Sequence, residues 1–600
     1  MTLALCLITG AALTMLGFSP ALLVIATVLL VTLAMSQRLS TASSFVGALI
    51  LLLLIHTVVI RVVPFTGFDL SLVTVMVLMV IGGGSLVTLA LAEPGLRLPD
   101  LGPSSVLWSV LFVPMVVGIW LAATVGFGQK MFVGWAMDND VVWNTVASRF
   151  ILSDNGVVPA LHPNPSPLVN GLMAIWYAPG REAAGQLLRH DVTRQTELWL
   201  LLLLLASVFC GLVLARAVSG SRPLLRLLAG VAGSMIPLTW YLIGFVVQFG
   251  FLNVALAIVI LLGAWILWCD LRAHTAAASA LLFVATTVLL AAWAPLALVA
   301  LGLAVVGAAI GRREILRLRG VNGIVWWLAL LQLPVYLVLV TLPDLRRDGG
   351  SLAANGAVPQ LAAQDLLLVS ILVLVVGATT ALAFNQRHEL LGICVLVLMT
   401  AGAVGYLVMQ RAGIDTLWGY YPAKLGWLMS FLLVVILAAS IARWVNMRRT
   451  SGVMVVAIVT ATASVVGLVL MRVPPAAHTA SAIFPVVGIG LRALDTAGWP
   501  RTDTLFASAD DDTQFIYARY SPTENDDRFV NSWLLQLTAD TSDTPVRSFA
   551  YTLDPENAGQ LCAAAIAWGG PTVIVTRDSA LESELVPICS DADIQIQLRA

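Results

Sequence analysis

Two aspartates, Asp138 and Asp140, stand immediately before a stretch of sequence with helical spacing. A helix that begins at Asp140 carries Asn144 and Ser148 on one side. The Asn-Gly pair at 155–156 then supplies a left-handed stop signal. This helix is too polar to cross a bilayer and too apolar to float free in water, so we expect it to lie at the membrane surface.

A carboxylate in the first turn of such a helix is placed for acid–base chemistry at the membrane surface. The transfer of a sugar from a lipid phosphate needs a base that takes the proton from the acceptor hydroxyl, and the lipid donor confines that reaction to this depth. A second interpretation is that Asp138 and Asp140 are N-cap residues that only stabilise the helix. Their spacing does not decide between the two.

The next segment, from Pro159 to Pro167, contains four prolines and predicts a rigid, extended loop. His162 and Asn164 lie in this loop and could contact a sugar. They could equally be solvated loop residues without a ligand.

A later loop carries two cations, Arg411 and Lys424, with Tyr420 and Tyr421 between them. At a membrane boundary such cations could hold a lipid phosphate or diphosphate leaving group. Tyrosine, tryptophan and lysine are also enriched at membrane interfaces simply as anchors. Lys424 is one of only two lysines in the chain, the other being Lys130.

The composition of the whole chain places these loops in a membrane protein. Of its 600 residues, 59% are hydrophobic and only 11% are charged, whereas a soluble globular protein is about 25% charged. Long apolar runs such as 198–214 and 251–267 have the length and pattern of transmembrane helices rather than of barrel strands. With a net charge of -1 the chain has no basic field for nucleic acid, so we expect no nucleic-acid partner.

The apolar runs predict a membrane all-α fold, a polytopic bundle of about 13–15 helices. The helices are predicted near residues 2–18, 20–36, 43–60, 70–92, 104–125, 197–215, 226–247, 250–269, 276–293, 295–311, 322–341, 365–384, 389–408, 425–444 and 452–471. Basic clusters at 216–226, 312–319 and 443–449 then fall on one side, which the positive-inside rule makes cytoplasmic. The N-terminus lies on that side too, and an odd number of crossings puts the C-terminus outside the cell membrane.

Four regions follow from this topology. Residues 1–125 form N-terminal membrane helices, and 126–196 an extracytoplasmic loop with the interfacial helix and the candidate aspartates. Residues 197–471 form further membrane helices, and 472–600 an extracytoplasmic soluble domain.

The soluble tail has the pattern of a small α/β domain. Strands are predicted at 504–508, 547–552 and 571–576, and a helix over 555–568 that ends at Gly569-Gly570. Cys562 and Cys589 are the only cysteines of the tail, and outside the cell membrane a disulfide between them is expected.

This layout resembles the GT-C class of membrane glycosyltransferases, which use polyprenyl-phosphate-linked sugars. In that class an acidic residue in the first large outside loop, beside an interfacial helix, is the catalytic base. The segment from Asp140 to Ile151, followed by Asn155-Gly156, resembles a group of actinobacterial multipass proteins that are themselves similar to GT-C enzymes. Many actinobacterial members also carry a soluble outside domain at the C-terminus.

The resemblance implies roles for individual residues. Asp140 would be the base, with Asp138 as its neighbour or substitute. Lys424 and Arg411 would neutralise the donor phosphate, beside Tyr420 and Tyr421. The residues implied in substrate binding are Asn144, Arg149, His162 and Asn164.

The resemblance also bears on a metal cofactor. The related group often has histidine where this chain has Asn144, so a metal would lack that ligand here. No metal site is predicted, and a divalent cation, Mg²⁺ or Mn²⁺, stays an option.

The function implied is transfer of a sugar, arabinose or mannose, from a polyprenyl-phosphate donor to a cell-envelope glycan, lipid or protein outside the membrane. One alternative is a transporter or flippase for a lipid-linked glycan, which predicts a charged or polar central cavity. Another is a glycan polymerase or ligase, which would use arginine and histidine in the outside loops, here Arg411 and His162. A third is an inert scaffold whose tail binds a partner.

Overall fold

The structure of the chain is a computed structural model that describes most of its length. The described residues are 2–91, 106–128, 131–218, 223–238, 246–247, 249–347, 351–354, 356, 361–414, 416–445, 499–509, 513–538, 545–590 and 592–599.

Most of the described chain is helical. The helices that precede residue 446 are α1 Thr2–Met15, α2 Ala21–Met35, α3 Thr41–Val62, α4 Leu70–Leu91, α5 Val106–Gly128, α6 Val141–Ser153, α7 Leu168–Tyr177, α8 Leu187–Ala217, α9 Pro223–Met235, α10 Leu252–Cys269, α11 Thr275–Trp293, α12 Ala297–Ile315, α13 Gly320–Tyr336, α14 Leu342–Arg347, α15 Ala363–Phe384, α16 Arg387–Gln410 and α17 Tyr420–Val445.

Within the described residues, nine helical segments are long and apolar enough to cross a membrane, which indicates a multi-pass membrane protein. One of the nine, Thr275–Ile315, consists of α11 and α12, which turn back at Ala294–Leu296 and pack against each other. Fourteen of the fifteen predicted membrane helices have a helical counterpart, but only ten of these counterparts belong to the nine segments that could cross a membrane. The predicted helix over 452–471, and with it the predicted domain boundary at 471, lies outside the described residues.

The predicted helix over 226–247 is interrupted after Met235, and residues 239–245 lie outside the described part of the chain. Helix α9 ends at Met235, and the next residues, Ile236–Leu238, form a 3-10 turn that contains Pro237. Proline disfavours helical dihedrals in the residue before it, which is consistent with the end of α9 just before Pro237.

One end of the bundle carries the described parts of the three basic clusters, and we call it the basic end. Arg216, in the last turn of α8, pairs with Asp270, and Arg443, in the last turn of α17, pairs with Glu389. Helix α12 returns to the same end, where Glu314 accepts a hydrogen bond from the backbone of Ala276 at 3.4 Å. The described parts of the three basic clusters therefore lie together, and their cytoplasmic location stays a prediction.

Helix α10 forms the centre of the membrane bundle. Almost all of its residues are buried, and it packs on α3, α8, α11 and α17. It has no polar stripe, as expected of a helix that is surrounded by other helices. By contrast, the outer helix α13 exposes apolar side chains such as Leu331 and Leu328, which suit contact with lipid.

The C-terminal part is a small domain with a parallel three-stranded sheet in the order β1-β2-β3. Its elements are α18 Trp499–Ser508, β1 Gln514–Tyr517, α19 Glu524–Leu537, a 3-10 segment Pro545–Tyr551, α20 Ala558–Trp568, β2 Thr572–Thr576, α21 Leu581–Leu585 and β3 Ile594–Leu598. Cys562 and Cys589 are joined by a disulfide that ties α20 to the segment after α21.

Two of the three predicted strands of this domain are wrong. Residues 504–508 are the second half of α18, where Leu505 and Phe506 are buried, and 547–552 lies in the 3-10 segment and the turn after it. Both stretches contain strand-forming residue types, but burial of an amphipathic helical face overrides that preference. The third strand is confirmed as β2, and the predicted helix is confirmed as α20, which ends at Gly569 with φ +74°.

The C-terminal domain lies at the opposite end of the bundle from the basic end, against α6. The indole Nε1 of Trp533 donates to the backbone oxygen of Met137 at 3.1 Å. Trp533 and Leu505 share one buried cluster with Met137 and Val141. The chain thus leaves α17 at the basic end and begins α18 beside the loop that carries the two aspartates.

Candidate active site

Asp140 occupies the N-cap position of α6, but its side chain does not cap the helix. Its backbone is helical, with φ -60° and ψ -5°, and its carboxylate accepts no hydrogen bond from the first turn. Instead, the hydroxyl of Tyr420 donates to Oδ2 of Asp140 at 3.1 Å. The cap interpretation therefore does not describe what this side chain does.

The turn before α10 sets the position of Asp140. Gly250 has φ +67°, and a Cβ there would stand 2.5 Å from both the oxygen of Asp138 and the nitrogen of Val141. The backbone nitrogen of Asp140 donates to the oxygen of Phe249 at 3.3 Å. Only glycine lets the turn before α10 approach the backbone of Asp138 and Val141 this closely. The turn therefore packs against the start of α6 and holds Asp140 in place.

Lys424 lies one helical turn after Tyr420 and is buried, with 3% of its surface exposed. Its Nζ is 3.4 Å from the Tyr420 hydroxyl and 3.5 Å from the centre of the Phe251 ring. Trp293 and Tyr420 complete an aromatic cage around the ammonium group. A lysine that anchors the protein at an interface keeps its ammonium group in water, so the anchor interpretation does not fit Lys424.

No direct ion pair joins the described side chains of Asp140 and Lys424, because the hydroxyl of Tyr420 lies between them. Burial raises the pKa of Asp140, and the Lys424 charge and the Tyr420 hydrogen bond lower it in part. The net effect is a pKa above the ordinary value. A carboxylate with a raised pKa is a stronger base than a solvated one, which suits proton abstraction near neutral pH.

The side chains of Asp140, Tyr420 and Lys424 line a cavity of about 200 Å³. One wall is a chain of amides from α6, α7 and the proline-rich loop. Asn164 donates to Asn170 at 2.9 Å, Asn170 donates to Asn144 at 3.1 Å, and Asn144 donates to the oxygen of Gly250 at 3.1 Å. These bonds orient the amides, and amides are suitable partners for sugar hydroxyls.

The facing wall is apolar and aromatic. It is formed by Tyr421, Trp293, Pro295, Leu345 and Leu352. The cavity therefore has a polar side with one carboxylate and one ammonium group and an apolar side, the usual composition of a small-molecule site.

Six of the ten predicted site residues line this cavity: Asp140, Asn144, Asn164, Tyr420, Tyr421 and Lys424. Four others do not line it: Asp138, Arg149, His162 and Arg411.

Arg411 is fully buried and points into the protein. Its guanidinium donates to the backbone oxygens of Ala353 and Ala354 at 2.8 and 2.9 Å and to that of Thr416 at 2.9 Å. Gly419 lies against the same guanidinium, since a Cβ there would meet its central carbon at 2.4 Å. Arg411 thus ties the 351–354 segment to the residues before α17, rather than facing the cavity.

Arg149 connects two helices. Its Nε donates to Asp191 of α8 at 2.8 Å, and Arg181 donates to the same carboxylate at 2.9 Å. Asp191 is fully buried, so this cluster fixes α6 against α8 on the side away from the cavity.

His162 and Asp138 also lie outside the cavity wall. The ring of His162 stacks on Phe150, with 3.7 Å between ring centres, and its Nε2 is 3.6 Å from Asp154. Asp138 is half-buried in the turn before α6, and its backbone oxygen accepts from Val141 at 3.4 Å.

Sequence analysis missed several residues that the fold brings to the site. Asn170 of α7, Asn253 in the first turn of α10 and Trp143 of α6 line the cavity. The signal for the two asparagines was an isolated polar residue near the start of an apolar helix. Trp143 gave no signal, because an aromatic residue on a surface helix is common.

The C-terminal domain also reaches the site through its 3-10 segment. The guanidinium of Arg547 lies 3.5 Å from the centre of the Trp143 ring. Desolvation of the phenol and the Asp140 carboxylate raise the pKa of Tyr551 to about 12, although 59% of this residue's surface is exposed. The phenol is therefore within electrostatic reach of Asp140. No pattern in the tail predicted either contact.

Among the described residues, no group of three or more His, Cys, Asp or Glu is placed to hold a metal ion. The described cavity wall offers a single carboxylate, Asp140.

No protein-family model matches this chain, and neither a curated protein nor a solved structure matches it.

Proposed function

We propose that this protein is a membrane glycosyltransferase of the GT-C type, which moves a sugar, arabinose or mannose, from a polyprenyl-phosphate donor to a cell-envelope glycan, lipid or protein. The observation that carries the proposal is the half-buried Asp140 carboxylate, which is not used as a helix cap, accepts a hydrogen bond from Tyr420 and lines an amide-walled cavity together with Lys424. The cavity lies at the end of the bundle that we predict to be extracytoplasmic.

Asp140 is the base in this proposal. Its carboxylate takes the proton of an acceptor hydroxyl, and the acceptor oxygen forms a bond to the anomeric carbon of the donor sugar. The bond from that carbon to the phosphate oxygen breaks, and polyprenyl phosphate leaves with the electron pair. A single displacement of this kind inverts the anomeric configuration.

Lys424 neutralises the charge that develops on the leaving phosphate. Its ammonium group is held by rings rather than by a direct carboxylate contact, and a charge in such a water-poor site interacts more strongly than in water. Tyr420 lies between base and cation and keeps them apart. Arg411 acts in the same proposal by positioning α17, not by touching phosphate.

The amide wall binds the sugar hydroxyls. Asn144, Asn164 and Asn170 are held in one hydrogen-bonded chain, so their free donors and acceptors are preorganised for a ligand. Asn253 lines the same cavity, and the described residues provide no hydrogen-bond partner for its side chain. It is available to a substrate.

Asp140→Asn tests the proposal. With purified full-length protein, polyprenyl-phosphate arabinose or mannose, and an envelope glycan acceptor, we expect sugar transfer to fall about 10²- to 10⁴-fold. Because burial raises the pKa of Asp140, the charged form destabilises the folded state above that pKa, and the neutral amide should leave the melting temperature unchanged or higher.

The matched control is Asp69→Asn. Asp69 is an exposed carboxylate whose Oδ1 caps α4 at 2.7 Å, and asparagine preserves that cap. Its activity should equal that of the wild type. An Asp140→Asn variant that also transfers sugar at the wild-type rate would rule out the base role.

The rival functions give other results in the same experiment. A flippase moves the lipid-linked sugar across a bilayer without consuming it. The polymerase or ligase alternative depended on Arg411 and His162, and neither lines the cavity, so the geometry gives it no support.

A further inference from the structure

A second cavity, of about 300 Å³, lies at the basic end of the bundle, far from Asp140. It is enclosed by the ends of α8, α10 and α17 and the start of α16. Arg216, Arg443 and Glu389 form its charged wall, and Gln386 lies beside them. Nothing in the proposed sugar transfer uses this cavity.

Both arginines are held rigidly by carboxylates. Arg443 forms a two-fold contact with Glu389, with N···O distances of 2.5 and 2.7 Å. Arg216 forms a similar contact with Asp270, which also accepts from the hydroxyls of Ser40 and Ser43. A guanidinium has five N–H donors. The bonds to described residues use two donors of each arginine, so the other three are open to a partner as far as the described chain shows.

The described charges around the cavity balance, because Glu389 pairs with Arg443 and Asp270 pairs with Arg216. An anion would therefore be held by the N–H donors that these pairs leave open, rather than by a net charge on the wall. The side-chain oxygen of Gln386 is buried without a hydrogen-bond partner among the described residues. The wall therefore suits an anionic group that has a hydrogen-bond donor beside it.

The rest of the wall is apolar. Trp265 and Ile266 of α10 and Ile436 of α17 line the cavity on its side toward the middle of the bundle. A free anion would find no partner there, whereas a hydrocarbon chain would. The cavity also lies where helices end, the depth of phospholipid headgroups.

We propose that this cavity binds a phospholipid of the leaflet at the basic end, with the lipid phosphate between Arg216 and Arg443 and one acyl chain along the apolar wall. The ligand therefore has a phosphate group for the two arginines, a headgroup hydroxyl or amine that donates a hydrogen bond to Gln386, and a hydrocarbon chain. This binding is independent of the proposed sugar transfer, since it uses no residue of the Asp140 cavity.

Lipid retention tests the proposal. Full-length protein is stripped of lipid in detergent, and phosphatidylglycerol, diacylglycerol with the same chains, or inorganic phosphate is added alone. Binding is read by native mass spectrometry and by the melting temperature. Phosphatidylglycerol should bind and raise the melting temperature, and the other two should not.

Two variants separate binding from folding. Arg443→Gln combined with Glu389→Gln replaces the ion pair by two amides and leaves no lone buried charge, and it should weaken phosphatidylglycerol binding about tenfold. Ala439→Leu fills the cavity without removing a charge and should weaken binding too. Arg313→Gln is the control, because Arg313 is an exposed arginine at the same end, in the last turn of α12.

Three results would overturn the inference. Wild-type binding by the Arg443→Gln/Glu389→Gln variant would show that the arginine pair only locks helices together. Equal binding of diacylglycerol would show that the phosphate is not recognised. Equal stabilisation by inorganic phosphate would assign the site to a free anion rather than to a lipid.

Discussion

At the scale of single residues, the environment of Asp140 separates chemistry from capping. An aspartate before a helix is an ordinary N-cap, and the sequence left both roles open. In the structure its carboxylate turns away from the helix and meets a tyrosine hydroxyl at 3.1 Å. Burial raises the pKa of this group, which is a cost to stability that a purely structural cap would avoid.

Tyr420→Phe should move the pH dependence of sugar transfer. The Tyr420 hydroxyl donates to the Asp140 carboxylate and lowers its pKa, so its removal raises that pKa further. A base must be deprotonated, and activity falls as pH drops through its pKa. The acid limb of a rate profile measured from about pH 5 to about pH 9 should therefore shift to higher pH.

Tyr406→Phe is the control for this measurement, because Tyr406 is an exposed tyrosine of α16 that does not line the cavity. Its profile should match that of the wild type. An acid limb that stays in place in Tyr420→Phe would mean that another group acts as the base.

At the scale of elements, Arg411 shows how a cation in a loop can serve position instead of binding. The sequence places it near the predicted outer boundary with Lys424, and both looked suitable for phosphate. The fold separates them: Lys424 faces the cavity, and Arg411 joins the 351–354 segment to Thr416. The residues it fixes lead directly into Tyr420.

Arg411→Gln should destabilise the protein and slow turnover without weakening donor binding. The variant removes the guanidinium hydrogen bonds to the backbone oxygens of Ala353, Ala354 and Thr416, and each lost bond costs about 0.5–1.5 kcal/mol. The melting temperature and kcat should fall because α17 loses its support, whereas the KM for the polyprenyl-phosphate donor should stay the same.

Arg346→Gln is the control. It removes an exposed arginine and should change neither the melting temperature nor kcat. Arg411→Lys gives the sharper comparison. A phosphate contact would be restored by lysine, and a rise of donor KM in Arg411→Gln that lysine reverses would assign Arg411 to phosphate after all.

At the scale of the whole molecule, the C-terminal domain packs on the membrane bundle beside the candidate site. The domain docks through Trp533 on Met137, and its 3-10 segment brings Arg547 to Trp143 and Tyr551 near Asp140. Trp143 is itself part of the cavity wall. The domain thus contacts a residue of the cavity wall, and we expect it to affect how an acceptor enters the cavity.

Arg547→Ala should weaken acceptor use more than donor use. The variant loses the cation–π interaction with Trp143, which is worth about 0.5–2 kcal/mol. Because we expect this contact to order the acceptor side of the cavity, the acceptor KM should rise about 2- to 30-fold. Steady-state rates at varied acceptor and fixed donor concentration measure this. Arg528→Ala is the control, since Arg528 is an exposed arginine of α19 paired with Glu524; equal acceptor KM values in both variants would contradict the prediction.

Hydropathy predicted the helices well because each membrane helix is specified locally, by a run of apolar residues long enough for the bilayer. The strands were predicted poorly. Strand β1 has four residues and β3 has five, too few for a periodic signal, and the apolar stretch at 504–508 is helical because Leu505 and Phe506 are buried against α6 and its neighbours. Contacts between distant segments decided both outcomes.

The sequence by itself determined that the chain crosses a membrane many times and carries a small folded domain at its C-terminus, because composition and run length are local properties. It also selected the loops that hold Asp140 and Lys424. Asp140 and Lys424 are 284 positions apart in the chain. Only the tertiary structure decided that these two side chains line the same cavity and that Arg411 and Arg149 do not line it. A side chain's direction depends on which neighbours bury it, and those neighbours come from α7, α10, α17 and the C-terminal domain, which no local pattern brings together.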